Sequence, residues 1–363
     1  MRVRSAAAIL MWMCAGGGAA QSTAAVQGSA PVGSGAAGSG AARSAVEDAR
    51  LVERLRQIAG EHHGRVALFA SRLGTGRVVE LDADAVVQTA SVIKLAVLYE
   101  AMEQVRSGKA HWADPVRLGA GDGVAGSGIL RLFDTPQTLT LRDVLGLMVM
   151  MSDNTATNLA IDRLGLERIN ERVAGLGLKS TYLYKKIGRP AEGPMPADQA
   201  RYGLGKTTPR EMAALMERIG RCELDRAAAP TRSPEDEAIC AVALTMLRNQ
   251  FYKDTIPRYL EKLDRTEAGS GTASKTGSLN AVRNDVAIVA GISGPMVLSI
   301  FTYENKDTGW TADNEGELTI ARLAKAIVDA WSPGGIDGKA LVPGLGLAPG
   351  ASPIAVAGAG SSN

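Results

Sequence analysis

Apolar residues at positions 92, 95, 96, 99 and 102 recur at the 3.6-residue spacing of an α-helix, and the middle of the chain repeats that period several times. Thr140 with Asp143 three residues on predicts a capping box ahead of a helix over 141–151. A helix over 155–164 follows, closed by Gly165. Thr208-Pro209-Arg210-Glu211 and Ser233-Pro234-Glu235-Asp236 each place an N-cap, a first-turn proline and an acidic residue in order, which predicts two more helix starts.

Both flanks of this helical middle carry a strand pattern. Near the N-terminal side, a short helix over 46–59 ends at Gly60, and then Val66-Ala67-Leu68-Phe69-Ala70 and Val78-Val79-Glu80-Leu81 flank the turn residues Gly74-Thr75-Gly76. Beyond Gly271 the period changes to strands at 272–276, 285–290 and 296–303, the last pair separated by Gly294-Pro295, and a helix over 316–331 closes the pattern. The expected fold class is therefore α+β: one antiparallel sheet made from N- and C-terminal strands, flanked by helices, with an all-α lobe inserted between them. The cleft between sheet and lobe is the expected place for a site.

Composition sets the limits of the folded part. The chain has 363 residues, 45% hydrophobic and 21% charged, enough for a full core. With 40 basic and 38 acidic residues, and no basic run interleaved with aromatics, nucleic acid and anionic membrane surfaces are not expected partners. Residues 1–20 read as a secretory signal: Arg2 and Arg4, an apolar run from Ala6 to Cys14 too short to span a membrane, then Gly18-Ala19-Ala20. Lipid attachment at Cys14 is an alternative, disfavoured by Trp12 and Met13 before it. Residues 21–44 read as a flexible Ala/Gly/Ser linker, 45–332 as the folded domain and 333–363 as a disordered tail. An exported, periplasmic or secreted monomer is expected. In an oxidising compartment Cys222 and Cys240 admit either a bridge or two buried thiols in neighbouring helices, and spacing alone does not decide.

Chemistry enters at Ser91-Val92-Ile93-Lys94. A serine hydroxyl needs a base in reach and a place for developing negative charge. On a helix, residues three apart share a face, which puts Lys94 beside Ser91, and burial among the apolar positions disfavours the charged amine. If Ser91 opens the helix, its N–H is an unpaired donor for an oxyanion. Such a tetrad also occurs by chance, so two further triplets matter: Ser152-Asp153-Asn154 between two predicted helices, and Lys275-Thr276-Gly277 on the first C-terminal strand. In this order and context the three elements resemble those of the class A β-lactamases and penicillin-binding proteins, over about residues 46–331.

The resemblance implies a serine hydrolase that opens a β-lactam ring through an acyl-enzyme, with no metal or cofactor and a small-molecule β-lactam or peptidoglycan-related substrate. Ser91 would be the nucleophile and Lys94 its base or proton relay. Ser152 would pass a proton to the leaving nitrogen, and Asn154 would hold the acylamide arm. Lys275 and Thr276 would meet the substrate carboxylate, with Arg283 a weaker candidate for the same contact. Gly277 would permit a close backbone approach, and the Ser278 N–H would complete the oxyanion hole with that of Ser91. The family's deacylating glutamate, within an E-x-x-L-N pattern, has no counterpart in Leu183-Tyr184-Lys185-Lys186-Ile187-Gly188-Arg189-Pro190-Ala191-Glu192-Gly193. Glu192 and then Asp198 are the candidate substitutes, and slow deacylation is expected. The alternatives are a D,D-peptidase or esterase on the same fold, or a penicillin-binding protein without turnover. Gly205-Lys206-Thr207 lacks the leading glycine of a phosphate loop, and His62, His63 and His111 have no metal-ligand spacing.

Overall fold

The computed structural model describes residues 35–224, 232–260, 270–348 and 354–356. The described residues from 44 onward form one compact unit. The predicted signal at 1–20 and linker residues 21–34 lie outside the described residues. Helix α1 (Gly35–Gly60) leads into the hairpin β1 (Arg65–Arg72) and β2 (Arg77–Leu81). The short strand β3 (Val87–Gln88) and a 3-10 turn, Ala90–Ile93, precede α2 (Lys94–Arg106). A small ribbon, β4 (Pro115–Leu118) with β5 (Gln137–Thr140), comes next, then α3 (Leu141–Met150), α4 (Asn154–Leu164) and α5 (Leu166–Gly175). After β6 (Tyr182–Leu183), α6 (Gln199–Tyr202) and β7 (Gly205–Thr207) come α7 (Pro209–Arg221) and α8 (Pro234–Arg248). The chain then returns to the sheet with β8 (Thr272–Leu279), β9 (Val282–Gly291) and β10 (Gly294–Tyr303), and α9 (Glu315–Trp331) follows.

The main sheet runs β2-β1-β10-β9-β8, every pair antiparallel, so strands from both ends of the sequence form one sheet. Side chains alternate across it. Leu68, Ala70, Ala287, Val289, Leu298 and Ile300 face one core with Leu55 and Ile58 of α1 and Ile320, Leu323 and Ile327 of α9. Phe69, Val286, Ile288, Val297 and Phe301 face the other, with α2, α7, α8 and the inserted helices. Asp48 joins the first layer together: it accepts from Trp331 Nε1 at 3.1 Å and from Arg77 at 2.7 Å. The helix starts are those the caps predict. Thr140 and Ser233 close full capping boxes with Asp143 and Asp236, and Thr208 accepts from Glu211 N.

Two expectations change, and the open question of the two cysteines is decided in favour of a bridge. Helix α1 begins at Gly35 rather than near residue 46: once a helix is nucleated each further residue adds a hydrogen bond, and Ala36, Ala37, Ala41, Ala42 and Ala45 favour the extension against the cost of Gly35, Gly38 and Gly40. The tail expected to be disordered is partly built into the domain: Ile336 bridges Gly291, Arg248 donates to Gly338 O at 2.9 Å, and Leu341 and Leu345 are buried. Isolated apolar residues anchor this Gly/Pro-rich stretch, which average composition hides. Cys222 and Cys240 form a disulfide with Cα atoms 5.6 Å apart, joining the C-terminal end of α7 to the middle of α8. Among the described residues no helix is long and apolar enough to cross a membrane.

Candidate active site

Ser91 sits in the 3-10 turn that launches α2, so the α-helix proper starts at Lys94 rather than at the serine. Ala90, with φ at 45°, takes the left-handed conformation that side chains disfavour, and this bends the chain sharply just before Ser91. The turn is held from the sheet. Asn284 donates to Gln88 O at 2.9 Å and Thr89 O at 3.2 Å, and Gly277 lies so close that a Cβ there would sit 2.7 Å from Ser91 N. Only glycine allows β8 and the serine turn to touch in this way.

Lys94 is fully buried. Its amine donates to Ser152 O at 2.7 Å, to Ser152 Oγ at 3.1 Å and to Asn154 Oδ1 at 3.1 Å, rather than to the Ser91 hydroxyl. Lys275 enters from the opposite wall on β8, with Nζ 3.1 Å from Ser152 Oγ and 2.8 Å from Thr276 O. Two lysines thus converge on one serine hydroxyl. Burial, reinforced by the positive charge of Lys275, holds Lys94 well below the ordinary lysine range. Burial brings Lys275 down to about 7, opposed by the carboxylate of Asp285. Asp285, opposite Thr276 across the β8–β9 pair, is itself raised to about 6 by burial, and accepts from Thr255 Oγ1 at 2.7 Å and Ile256 N at 3.1 Å.

The Ser152-Asp153-Asn154 triplet is both a helix cap and a site element. Ser152 has φ at 52°, a tight link between α3 and α4. Asp153 caps α4 by accepting from Ala156 N at 2.9 Å, and its other oxygen accepts from Ile129 N and Leu130 N, both at 2.7 Å. That carboxylate fastens the Gly126-Ser127-Gly128 loop over the site. Asn154 is fixed at both ends of its amide, by Lys94 and by Ala125 O at 3.0 Å.

Ser91, Ser127, Ser152, Thr276, Gly277 and Ser278 line a cavity of about 330 Å³. Its outer wall holds Tyr252, Asp254, Thr255, Trp310 and Glu317, which the sequence reading did not single out. These residues lie in irregular segments or at a helix end, without a periodic or motif signal. Two of the expected site residues stand apart. Arg283 is fully buried and its guanidinium is consumed by Glu317 Oε1 at 3.1 Å, Val282 O at 3.0 Å, Leu279 O and Gly309 O. Glu192 is 81% exposed and lies 3.4 Å from Lys186. It borders a separate hollow with Tyr182 and Tyr184 rather than the serine cavity. Asp198 is engaged by Tyr184 Oη at 2.7 Å and Lys206 Nζ at 2.6 Å, which hold its carboxyl below the usual range.

The architecture and the serine-lysine cavity define a hydrolase of the class A β-lactamase fold. A β-lactamase from Sphaerobacter thermophilus matches with 28% identity over 76% of this chain and 95% of its own, at a TM-score of 0.62. A leucine-to-glutamate variant of PBP-A, in an acyl-enzyme complex with penicillin G, is 22% identical over 78% of this chain and 97% of its own, at a TM-score of 0.64. A reconstructed ancestral class A β-lactamase is 21% identical over 77% of this chain and 99% of its own, at a TM-score of 0.62. A comparison with curated protein sequences gives no match. Residues 50–331 match the Beta-lactamase enzyme family, and the chain belongs to it.

Proposed function

We propose that this protein is an exported serine hydrolase that is acylated on Ser91 by β-lactams and releases the product slowly. The observation that carries the reading is Ser152 Oγ, 3.1 Å from both Lys94 Nζ and Lys275 Nζ, at the wall of the cavity that exposes Ser91. A buried neutral amine at Lys94 takes the Ser91 proton as Oγ bonds to the lactam carbonyl carbon. The proton passes to Ser152, whose own proton goes to the nitrogen as the C–N bond breaks, so the sum is one ester formed and one amine released. The backbone N–H groups of Ser91 and Ser278 receive the oxyanion. Lys275, Thr276 and Gly277 hold the substrate carboxylate side and Asn154 the acylamide arm. The Cys222–Cys240 bridge supports export to an oxidising compartment.

Ile187 favours the low-turnover branch, closer to a penicillin-binding protein than to a fast β-lactamase. Its backbone is gripped by Asn158, one helical turn beyond Asn154, with Asn158 Nδ2 donating to Ile187 O at 2.9 Å and Ile187 N donating to Asn158 Oδ1 at 2.8 Å. The loop residue held against α4 at Asn158 is therefore apolar, and the candidate carboxylates Glu192 and Asp198 pair with Lys186 and Lys206 instead. Intact-mass spectrometry after addition of benzylpenicillin tests the whole reading. A penicilloyl adduct should appear within the first turnover, persist, and be absent from Ser91→Ala; labelling that survives that substitution places the nucleophile elsewhere.

A further inference from the structure

Trp310 is 65% exposed at the cavity wall, yet it is not loose. The Arg283 guanidinium lies 4.7 Å from its ring centroid, and the indole N–H donates to Asn280 Oδ1 at 3.2 Å. Arg283 is in turn immobilised by Glu317 on α9, by the turn carbonyls of Leu279 and Val282, and by Gly309 O. One aromatic face is thus held from below by a buried cation, a pairing favourable in its own right. An ordered aromatic group left open beside a reactive serine is the kind of surface that binding energy concentrates on.

The side of the reaction it serves follows from its neighbours. Ser152 lines this cavity, whereas Asn154, which would hold the acyl arm, does not. Tyr252 lines it too, and its hydroxyl points at Met151 O at 3.4 Å, one residue before Ser152. The cavity therefore opens from the proton donor toward Tyr252 and Trp310, where the departing half of the substrate must lie. We infer that Trp310, positioned by Arg283 and sharing the wall with Tyr252, is a specificity-determining subsite for the leaving half of the acyl donor, and selects one that carries a flat apolar group. The inference rests on the acyl-enzyme reading above and assigns Arg283 a positioning role.

Two cephalosporins that share one acylamido arm and carry either methyl or 2-phenylethyl at ring position 3, neither of which can be expelled when the ring opens, test this. In each, Ser91 Oγ bonds to the lactam carbonyl carbon, the lactam C–N bond breaks, the nitrogen gains a proton from Ser152 while the Ser91 proton replaces it by way of Lys94, and no second group leaves, so only the flanking group differs. The quantity read is the ratio of second-order acylation rates, aryl over methyl, from timed intact-mass measurements. Trp310→Ala should lower that ratio about tenfold relative to the unsubstituted protein, the worth of one good aromatic contact. Trp310→Phe should retain most of it. In the non-acylating Ser91→Ala background the aryl compound should quench indole emission, and Trp310→Phe should abolish that quench. An unchanged ratio in Trp310→Ala, with adducts forming normally, overturns this inference alone. No Ser91 adduct with either compound overturns the acyl-enzyme reading and this inference with it.

Discussion

Asn158 holds Ile187 by both of its backbone polar groups, at 2.9 and 2.8 Å, and so fixes an isoleucine one turn of α4 away from the amide that touches Lys94. The hydrogen bonds are to the main chain, so the side chain at 187 is free to change without releasing the loop. Ile187→Glu should put a carboxylate near the acylated serine and shorten the lifetime of the penicilloyl adduct. A well-placed general base contributes about a hundredfold to ten-thousandfold; a gain of at least tenfold in the deacylation rate, measured by decay of the adduct mass, is expected. Glu192→Gln should leave turnover within twofold of the starting value, because that carboxylate is 81% exposed and faces Lys186.

Asp153 carries more of the site than the serine and asparagine on either side of it reveal. Its buried carboxylate caps α4 and accepts two further amides from the loop over the cavity. Asp153→Ala loses a cap, typically about 1 kcal/mol, and leaves the buried Leu130 N–H unpaired at about 1–3 kcal/mol, besides freeing the more exposed Ile129 N–H. A loss of roughly 3 kcal/mol in urea denaturation is expected, together with slower acylation. A midpoint unchanged from the parent protein would mean that the 126–130 loop is held by other contacts.

Lys275 links stability to pH. Burial lowers its amine to about 7 from an ordinary 10.5. Between those values the unfolded chain binds the proton and the folded chain does not, so this group makes stability rise with pH from about 7 upward; below about 7 both states carry the proton and the full cost of burying it remains. Lys275→Met abolishes that slope. The stability of the parent relative to Lys275→Met should therefore increase by on the order of 2 kcal/mol between pH 7 and pH 9, at 1.36 kcal/mol for each unit of linkage. Parallel urea curves for the two proteins at both pH values measure it, and a constant difference would mean that Lys275 stays protonated in the folded state.

The Cys222–Cys240 bridge closes a loop with a sequence separation of 18, and such a loop is typically worth about 3 kcal/mol. Replacing both cysteines by serine should lower stability by about that amount without changing the rate of Ser91 acylation, since the bridge joins α7 and α8 away from the cavity. Alkylation of the denatured, unreduced protein should find neither thiol free.

The elements that position the chemistry were legible in the sequence for local reasons. Thr140, Thr208 and Ser233 cap helices through contacts within one turn, and the strand turns at Gly74-Thr75-Gly76 and Gly294-Pro295 are equally local. Ser91, Lys94, Ser152 and Lys275 stand in three short motifs in one order, and the fold brings both lysines, from opposite sides, to the hydroxyl of Ser152, in a cavity that Ser91 also lines. What depends on long-range packing was not legible. Arg283 looked like a ligand for a carboxylate, but its guanidinium is turned inward by Glu317 and three backbone carbonyls. Trp310 and Tyr252 carry no periodicity, and only the folded chain places them beside the serine. Leu341 and Leu345 were lost in a segment whose composition is mostly glycine, proline and alanine.

The order β2-β1-β10-β9-β8 has a consequence for how the protein is made. During synthesis β1 and β2 emerge first, yet the strand that pairs with the open side of β1 is β10, and Arg65 must wait for Tyr303. At ribosomal speeds that interval is on the order of ten seconds or more. A two-stranded hairpin is marginal by itself, so the nascent chain lacks the five-stranded sheet, the Lys275 wall and the serine cavity until β10 has been translated. A chain whose main sheet stays unpaired for that long exposes the edge of β1 throughout, and any stop codon upstream of β10 yields a polypeptide without the five-stranded sheet on which to assemble the cavity.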